Sequence, residues 1–99
     1  MKTHLERFIR FLAAEKGLSA AYQLSVRQTL EEFARFLGTE DADLSRVDIG
    51  TLTEFLRHLQ ARGMARSSMR VEMVHLRIFF RWLAGMGMLE KDPSAFLEM

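Results

Sequence analysis

The chain has 99 residues, of which 48% are hydrophobic and 27% are charged, a balance that is typical of one globular domain and excludes a disordered or fibrous chain. It has no cysteine, which excludes disulfides, thiolate catalysis and sulfur-ligated zinc, and its net charge of +1 excludes a uniformly basic protein. No apolar run reaches the ~20 residues of a membrane span and the first residues lack an apolar signal segment, so we expect one cytoplasmic domain over residues 1–99, with no contact with a membrane.

The first half of the chain predicts two helices, because apolar residues recur at helical spacing and no segment alternates as a strand does. The first predicted helix opens with a Thr3–Glu6 capping box and ends before Gly17. The second starts after Ser19, a favourable N-cap, and ends at Gly38. Their apolar stripes are Leu5, Phe8, Ile9 and Leu12 in the first helix, and Tyr22, Val26, Leu30, Phe33 and Leu37 in the second.

An acidic loop over residues 39–47 leads to the third predicted helix. Leu44 and Val47 are the apolar residues of this loop, and we expect them to anchor it to the core. Asp48 suits the N-cap of the third helix, which ends at Gly63. The apolar stripe of this helix consists of Leu52, Phe55, Leu56 and Leu59.

The fourth predicted helix covers residues 66–84 and is followed by the glycine-containing turn GMGML. Asp92 and Pro93 then suit the N-cap and the first position of a short fifth helix, where the missing N–H of proline costs nothing. The short connections predict an all-α fold: a compact orthogonal or antiparallel bundle of four main helices plus a short C-terminal helix.

The small net charge conceals an uneven distribution along the chain. Residues 31–54 contain seven acidic and two basic residues, whereas residues 57–81 contain six arginines and one acid. A chain that is nearly neutral overall can therefore present one strongly basic face.

Four of these arginines form a narrow stripe on the fourth helix. At about 100° per residue they fall within about 60° of one another on the helical wheel. We call this stripe the arginine ridge; it consists of Arg66, Arg70, Arg77 and Arg81. Apolar residues lie on both sides of the ridge, so we expect the helix to be buried along two flanks. One flank holds Met69, Met73, Leu76, Phe80 and Leu83, and the other holds Val71, Val74, Ile78 and Trp82.

Two interpretations of the arginine ridge are open. It can be a solvated face whose methylene stems cover apolar neighbours. However, mixed signs at i,i+4 would stabilise such a face better than like charges. The chain also uses eleven arginines and three lysines, and the planar fork of arginine suits phosphates and guanine edges. Ser67 and Ser68 add donors at the helix N-terminus, where a phosphate is favoured, so we interpret the ridge as a DNA-binding face.

The second helix offers a weaker companion surface. Gln23, Arg27 and Gln28 lie away from its apolar stripe. Glutamine and arginine are residue types that read adenine and guanine edges, although polar filling of a surface explains them equally well.

The order of these segments resembles a known family. The stretch GLSAAYQLSVRQTLEEFARFL, the third helix, and SSMRVEMVHLRIFFRWLAGMGMLEKDPSAFL are together similar to the core-binding domain of tyrosine recombinases. This is the SAM-like N-terminal domain of phage integrases and Xer-type recombinases. The most specific part is the arginine before a paired aromatic in RIFF, then the glycine turn and DPSA.

The resemblance implies a bundle of four or five helices that forms one half of a C-shaped clamp around duplex DNA. In this family the second and fourth helices present their N-terminal portions to the major groove. By position, the resemblance implicates Gln23, Arg27, Gln28, Arg66, Ser67, Ser68 and Arg70, with Arg77 following along the ridge. Whether Arg77 and Arg81 reach DNA or line the edge of the core stays open.

The resemblance also implies a role in DNA integration and recombination that needs a second, catalytic domain. The family cleaves DNA with a C-terminal tyrosine nucleophile, whereas Tyr22, the only tyrosine here, lies on an apolar stripe. We therefore expect a fragment of a longer recombinase with no catalytic residue, no enzymatic activity of its own and no cofactor. The expected partners are double-stranded DNA, the catalytic domain and sister protomers in a tetrameric synapse, with the isolated domain monomeric.

Metal binding is not expected, because His4, His58 and His75 fall on three different helices and resemble surface or boundary residues. Two other functions stay possible. One is a helical protein–protein adaptor whose basic face meets an acidic partner. The other is a structural role in which the first helix or the DPSAFLEM tail docks on neighbouring subunits, which an exposed Phe8 or Phe96 would favour.

Overall fold

A computed structural model describes residues 1–38 and 43–97, so residues 39–42 of the predicted acidic loop lie outside it. The four helices are α1 (Lys2–Ala14), α2 (Ala20–Leu37), α3 (Ile49–Ala61) and α4 (Arg66–Gly85), with a 3-10 turn at Leu44–Arg46. These two ranges contain no strand, which confirms the predicted all-α class. No helix within them combines the length and the apolar character that a membrane crossing requires. The chain divides into two compact units, Met1–Ala42 and Asp43–Met99.

In the first unit, α1 and α2 pack against each other. The predicted apolar stripe of α1 is buried throughout, and Val26, Leu30 and Phe33 of α2 have no exposed surface. The backbone N–H of Tyr22 donates to the side chain of Ser19 at 3.2 Å, so the predicted N-cap of α2 is confirmed. Gly38 ends α2 with a φ of +88°, a conformation that favours glycine.

The predicted Thr3–Glu6 capping box at the start of α1 is wrong. The helix begins at Lys2 with Met1 as N-cap, and no side chain caps it. Thr3 therefore lies inside the first turn rather than before it, and the Glu6 carboxylate points instead to an arginine of α2.

In the second unit, α3 and α4 pack against each other, and Leu44 and Val47 are buried as predicted. Asp48 and Thr51 form a reciprocal capping box at the start of α3: the Asp48 carboxylate accepts from the Thr51 N–H at 2.8 Å. Of the predicted α3 stripe, Leu52, Phe55 and Leu59 are fully buried and Leu56 is half-buried.

The predicted short fifth helix is wrong, because residues 93–96 form turns instead. The Asp92 carboxylate accepts from the backbone N–H of Ser94 at 2.8 Å and from its hydroxyl at 2.6 Å. The backbone bonds that follow link residues three apart, Ala95 to Asp92 and Leu97 to Ser94, so no α-helical turn forms. Leu97 is buried, whereas Phe96 is 87% exposed.

Candidate nucleic-acid interface

The helix α4 has one buried face and one exposed face. With Arg66 at 0°, the buried face extends from about 180° to about 340° on the wheel. It consists of Met69, Met73, His75, Leu76, Phe79, Phe80 and Leu83. Apart from Ser68 in the first turn, the exposed residues extend from about 0° to about 140°. They are Arg66, Ser67, Arg70, Val71, Val74, Arg77, Arg81 and Gly85.

The expectation that α4 is buried along two flanks is wrong for the second flank. Val71 is 49% exposed and Val74 is 50% exposed, while Ile78 and Trp82 are half-buried. Val74 follows Arg70 by four residues and precedes Arg77 by three, so it lies among the arginines on the helix surface. Burial therefore covers a single continuous arc of α4, and the arginine ridge shares its open face with two valines.

The arginine ridge carries charge that no acid of its own unit neutralises within residues 43–97. None of its four side chains forms a salt bridge there, and all four are exposed. The same unit pairs other arginines with acids: Arg57 binds Glu54 at 2.5 Å, and Arg46 lies 3.9 Å from Asp43. Unpaired arginine is thus a property of this face and not of the unit as a whole.

The N-terminus of α4 is also left without a side-chain cap. Its N-cap residue is Ala65, which has no side-chain acceptor, whereas Ser19 caps α2 and Asp48 caps α3. Ser67 and Ser68 are exposed in the first turn. The first N–H groups of a helix and its dipole favour an anion, so this end of α4 suits a phosphate that lies close to Arg66 and Arg70.

The predicted α2 surface is organised differently, because Arg27 is already paired. Its guanidinium donates to both carboxylate oxygens of Glu6 on α1, at 2.5 Å and 3.2 Å. The Arg27 side chain is 32% exposed and that of Glu6 is 44% exposed. This hydrogen-bonded pairing raises the pKa of Arg27 and lowers the pKa of Glu6. Arg27 therefore joins α2 to α1.

The two predicted glutamines of α2 also differ from each other. The Gln23 side-chain amide donates to the backbone carbonyl of Leu18 at 2.8 Å, which ties the start of α2 to the preceding loop. Gln28 is exposed. Of the three predicted α2 residues, only Gln28 presents its side chain to solvent without a structural hydrogen bond to another part of residues 1–38.

The three histidines occupy different environments. His75 is 3% exposed, contrary to the expected surface or boundary position, and its burial lowers its pKa. His58 is exposed, and His4 is half-buried with a pKa that burial lowers. Among residues 1–38 and 43–97, no group of three or more histidine or acidic side chains could hold a metal ion.

Sequence reasoning missed three features of the two candidate helices, α2 and α4. The Glu6–Arg27 pair joins residues that are 21 positions apart, and no local pattern reveals such a pair. The exposure of Val71 and Val74 had no local signal either, because the buried residues Met69 and Met73 lie closer to Arg66 on the wheel than the valines do. The uncapped N-terminus of α4 had a local signal, because Ala65 has no side-chain acceptor.

Comparison with known proteins relates the chain to one family of DNA-recombination proteins. Residues 5–87 match the family described as "Phage integrase, N-terminal SAM-like domain". The chain is 36% identical over 91 residues to the tyrosine recombinase XerC of Vibrio parahaemolyticus, an alignment that covers 91% of this chain and 29% of the relative. It is 30% identical over 94 residues to the tyrosine recombinase XerD of Agrobacterium fabrum, which covers 95% of this chain and 28% of that relative. No solved structure matches the chain significantly. The chain thus spans less than a third of the length of these relatives.

Proposed function

The chain belongs to the phage integrase N-terminal SAM-like domain family, and on that premise we propose that it is the duplex-DNA-binding domain of a tyrosine recombinase. The observation that carries this proposal is the arginine ridge, whose four exposed guanidinium groups have no salt-bridge partner in residues 43–97. Acidic residues are available in the unit, as the Arg57–Glu54 pair demonstrates. A face that keeps its cations unpaired favours an external polyanion.

The length of the ridge supports duplex DNA as that polyanion. Arg66 and Arg81 are fifteen residues apart in sequence, which corresponds to about 22 Å along the helix axis. Duplex DNA carries one negative charge per ~1.7 Å of its axis, so the ridge faces several phosphates at once. We propose that Arg66, Ser67, Ser68 and Arg70 contact DNA at the N-terminal end of α4, and that Arg77 and Arg81 extend the contact to further phosphates.

The α2 surface contributes less in this proposal. Gln28 is free to contact DNA directly. Arg27 and Gln23 contact DNA only after they exchange their hydrogen bonds with Glu6 and with the Leu18 carbonyl. Since breaking a formed pair offsets the gain from a new one, we propose that α4 supplies most of the affinity and α2 supplies a smaller part.

DNA strand exchange itself is proposed to need more than this chain. In the tyrosine recombinase family that the chain resembles, a separate catalytic domain supplies the tyrosine nucleophile. This chain covers 28–29% of two relatives that are called tyrosine recombinases. We propose that the domain has no catalytic activity alone, and that it acts in the cytoplasm together with a catalytic domain and with sister protomers. It then holds the DNA while the catalytic domain cleaves it.

Binding of the 99-residue chain to a fluorescent duplex, followed by anisotropy at several salt concentrations, tests the proposal. We expect log Kd to rise linearly with log salt, with about 0.9 unit of slope for each phosphate contact. A polyglutamate peptide of equal charge is the competitor. Stronger binding to the peptide than to the duplex would support the protein–protein adaptor instead, and no binding to any duplex at low salt would refute the DNA-binding role.

A further inference from the structure

Val71 and Val74 form an exposed aliphatic patch beside the arginine ridge, midway along its length. They are 49% and 50% exposed, and they lie three residues apart on the same side of α4. The arginines fall into two pairs, Arg66–Arg70 and Arg77–Arg81, whose centres are about 16 Å apart along the axis. Both valines lie in the interval between the two pairs.

The charge around the patch decides what can cover it. A partner that covers both valines also lies beside two pairs of arginines that have no salt-bridge partner in residues 43–97, so the surface favours an anion that carries apolar groups. Duplex DNA meets both conditions at its major groove, which is about 12 Å wide and admits an α-helix. Phosphates form the two walls of the groove, and the C5-methyl group of thymine is the apolar group on its floor.

We propose that Val71 and Val74 contact thymine C5-methyl groups in the major groove, while the two arginine pairs bind the phosphates on either side. This inference rests on the proposed DNA-binding function and adds to it a preference for A·T over G·C base pairs beneath α4. The mechanism is apolar burial, because each covered methyl group removes aliphatic surface of both the valine and the thymine from water. The preference for A·T base pairs therefore depends on the valines and not on the arginines.

Two alternating polymers isolate the methyl group, since poly(dA-dT) and poly(dA-dU) differ only at C5 of the pyrimidine. Every base pair of the first polymer offers a methyl group, so the test needs no knowledge of a target site. We expect the 99-residue chain to bind poly(dA-dT) more tightly by about fourfold if one methyl group is buried, and by more if two are buried. The ratio of the two Kd values, followed by anisotropy competition, is the quantity measured.

The Val71→Ala/Val74→Ala variant should bring this ratio to about one without changing the salt dependence of binding. Alanine is the better helix former and both sites are exposed, so the variant should fold, which circular dichroism checks. The control is Ile49→Ala, which removes a 45% exposed aliphatic side chain from α3 and should keep the wild-type ratio.

The outcomes separate the inference from the function on which it rests. Equal binding of the wild-type chain to both polymers, with normal salt dependence, would refute the thymine contact and leave the DNA-binding function standing. If Val71→Ala/Val74→Ala keeps the wild-type ratio of the two Kd values, the thymine contact is also refuted. Failure to bind either polymer at low salt would refute the DNA-binding function and the inference together.

Discussion

Arg27 on α2 and the arginine ridge on α4 are the same kind of residue in two different situations. Arg27 donates to both carboxylate oxygens of Glu6, and its side chain is 32% exposed. The ridge arginines are exposed, and none has a salt-bridge partner in residues 43–97. An arginine on a helix surface is therefore informative about a ligand only when its internal partners are known.

The helix N-termini repeat this difference. Ser19 caps α2 and satisfies the N–H of Tyr22, whereas Ala65 leaves the N-terminus of α4 without a side-chain acceptor. Arg27 and the Tyr22 N–H of α2 are therefore used within their own unit, whereas the ridge arginines and the first N–H groups of α4 are available to an anion.

The largest effect is expected from removing the N-terminal half of the ridge. The Arg66→Ala/Arg70→Ala variant should lose at least about tenfold in duplex affinity at moderate salt, and its slope of log Kd against log salt should fall by about 1.8. Thermal stability should be nearly unchanged, because both side chains are exposed and unpaired within residues 43–97. Anisotropy titrations at four salt concentrations measure the slope.

The matched control is Arg46→Ala/Arg57→Ala, which removes the same two charges from the same unit. These arginines are exposed and lie beside Asp43 and Glu54. We expect a slope within about 0.5 of the wild-type value. If this control loses as much affinity and slope as the ridge variant, then net charge alone, and not the ridge, binds the duplex.

The next largest effect is expected on stability, when Arg27 of α2 is removed. Arg27→Ala should lower the free energy of unfolding by about 0.5–1 kcal/mol, since a half-exposed pair contributes modestly and leaves Glu6 without its partner. The salt slope of DNA binding should change by less than that of the ridge variant. Urea unfolding and anisotropy of the same sample measure both. A large loss of slope with no loss of stability would show that Arg27 is a DNA contact like the ridge.

A smaller effect on duplex affinity is expected when Arg27 of α2 loses its salt bridge, as the arginines of α4 have none in residues 43–97. Glu6→Gln keeps the shape of the side chain and removes the charge that forms the salt bridge with Arg27. We expect duplex affinity to rise by about two- to threefold, with a steeper salt dependence, because one more cation becomes available. Unchanged affinity in anisotropy titrations would indicate that Arg27 does not reach the duplex even when it is released.

The smallest effect is a pH dependence of stability. Hydrogen bonding to Arg27 lowers the pKa of Glu6 below its ordinary value of 4.5, so the folded state favours the ionised carboxylate. The stabilisation is complete above that ordinary value and is lost as the pH falls through the lower folded-state pKa. The difference in Tm between wild type and Glu6→Gln should therefore disappear at acidic pH. A difference that is constant from pH 3 to pH 7 would contradict this assignment.

The helices could largely be predicted from sequence, because apolar periodicity and caps are local signals. Ser19, Asp48 and the stripe of Leu5, Phe8, Ile9 and Leu12 behave as predicted. The failures come from contacts that the local pattern does not contain. Glu6 pairs with a residue 21 positions away instead of capping α1, and an Asx-type turn at Asp92 replaces the expected helix.

The candidate site could be predicted in part for the same reason. The wheel identifies the arginine ridge because its members share one helix, and the structure places all four on the exposed face. The wheel does not show which of the two apolar flanks of α4 is buried. In the structure, Val71 and Val74 of the second flank are exposed. Exposure depends on which arc of α4 neighbouring elements cover, and the composition of α4 alone does not specify that arc.

The most direct test is an NMR titration of the 15N-labelled chain with a short duplex at low salt, followed on backbone amides and on arginine side-chain Nε–H groups. If the arginine ridge is the DNA-binding face, the largest shifts will occur at residues 66–70 and at the Nε–H groups of the ridge, with smaller shifts at Arg27. Shifts that centre on Arg27 and α2 while α4 stays unchanged would contradict this role of the ridge, as would the absence of any shift.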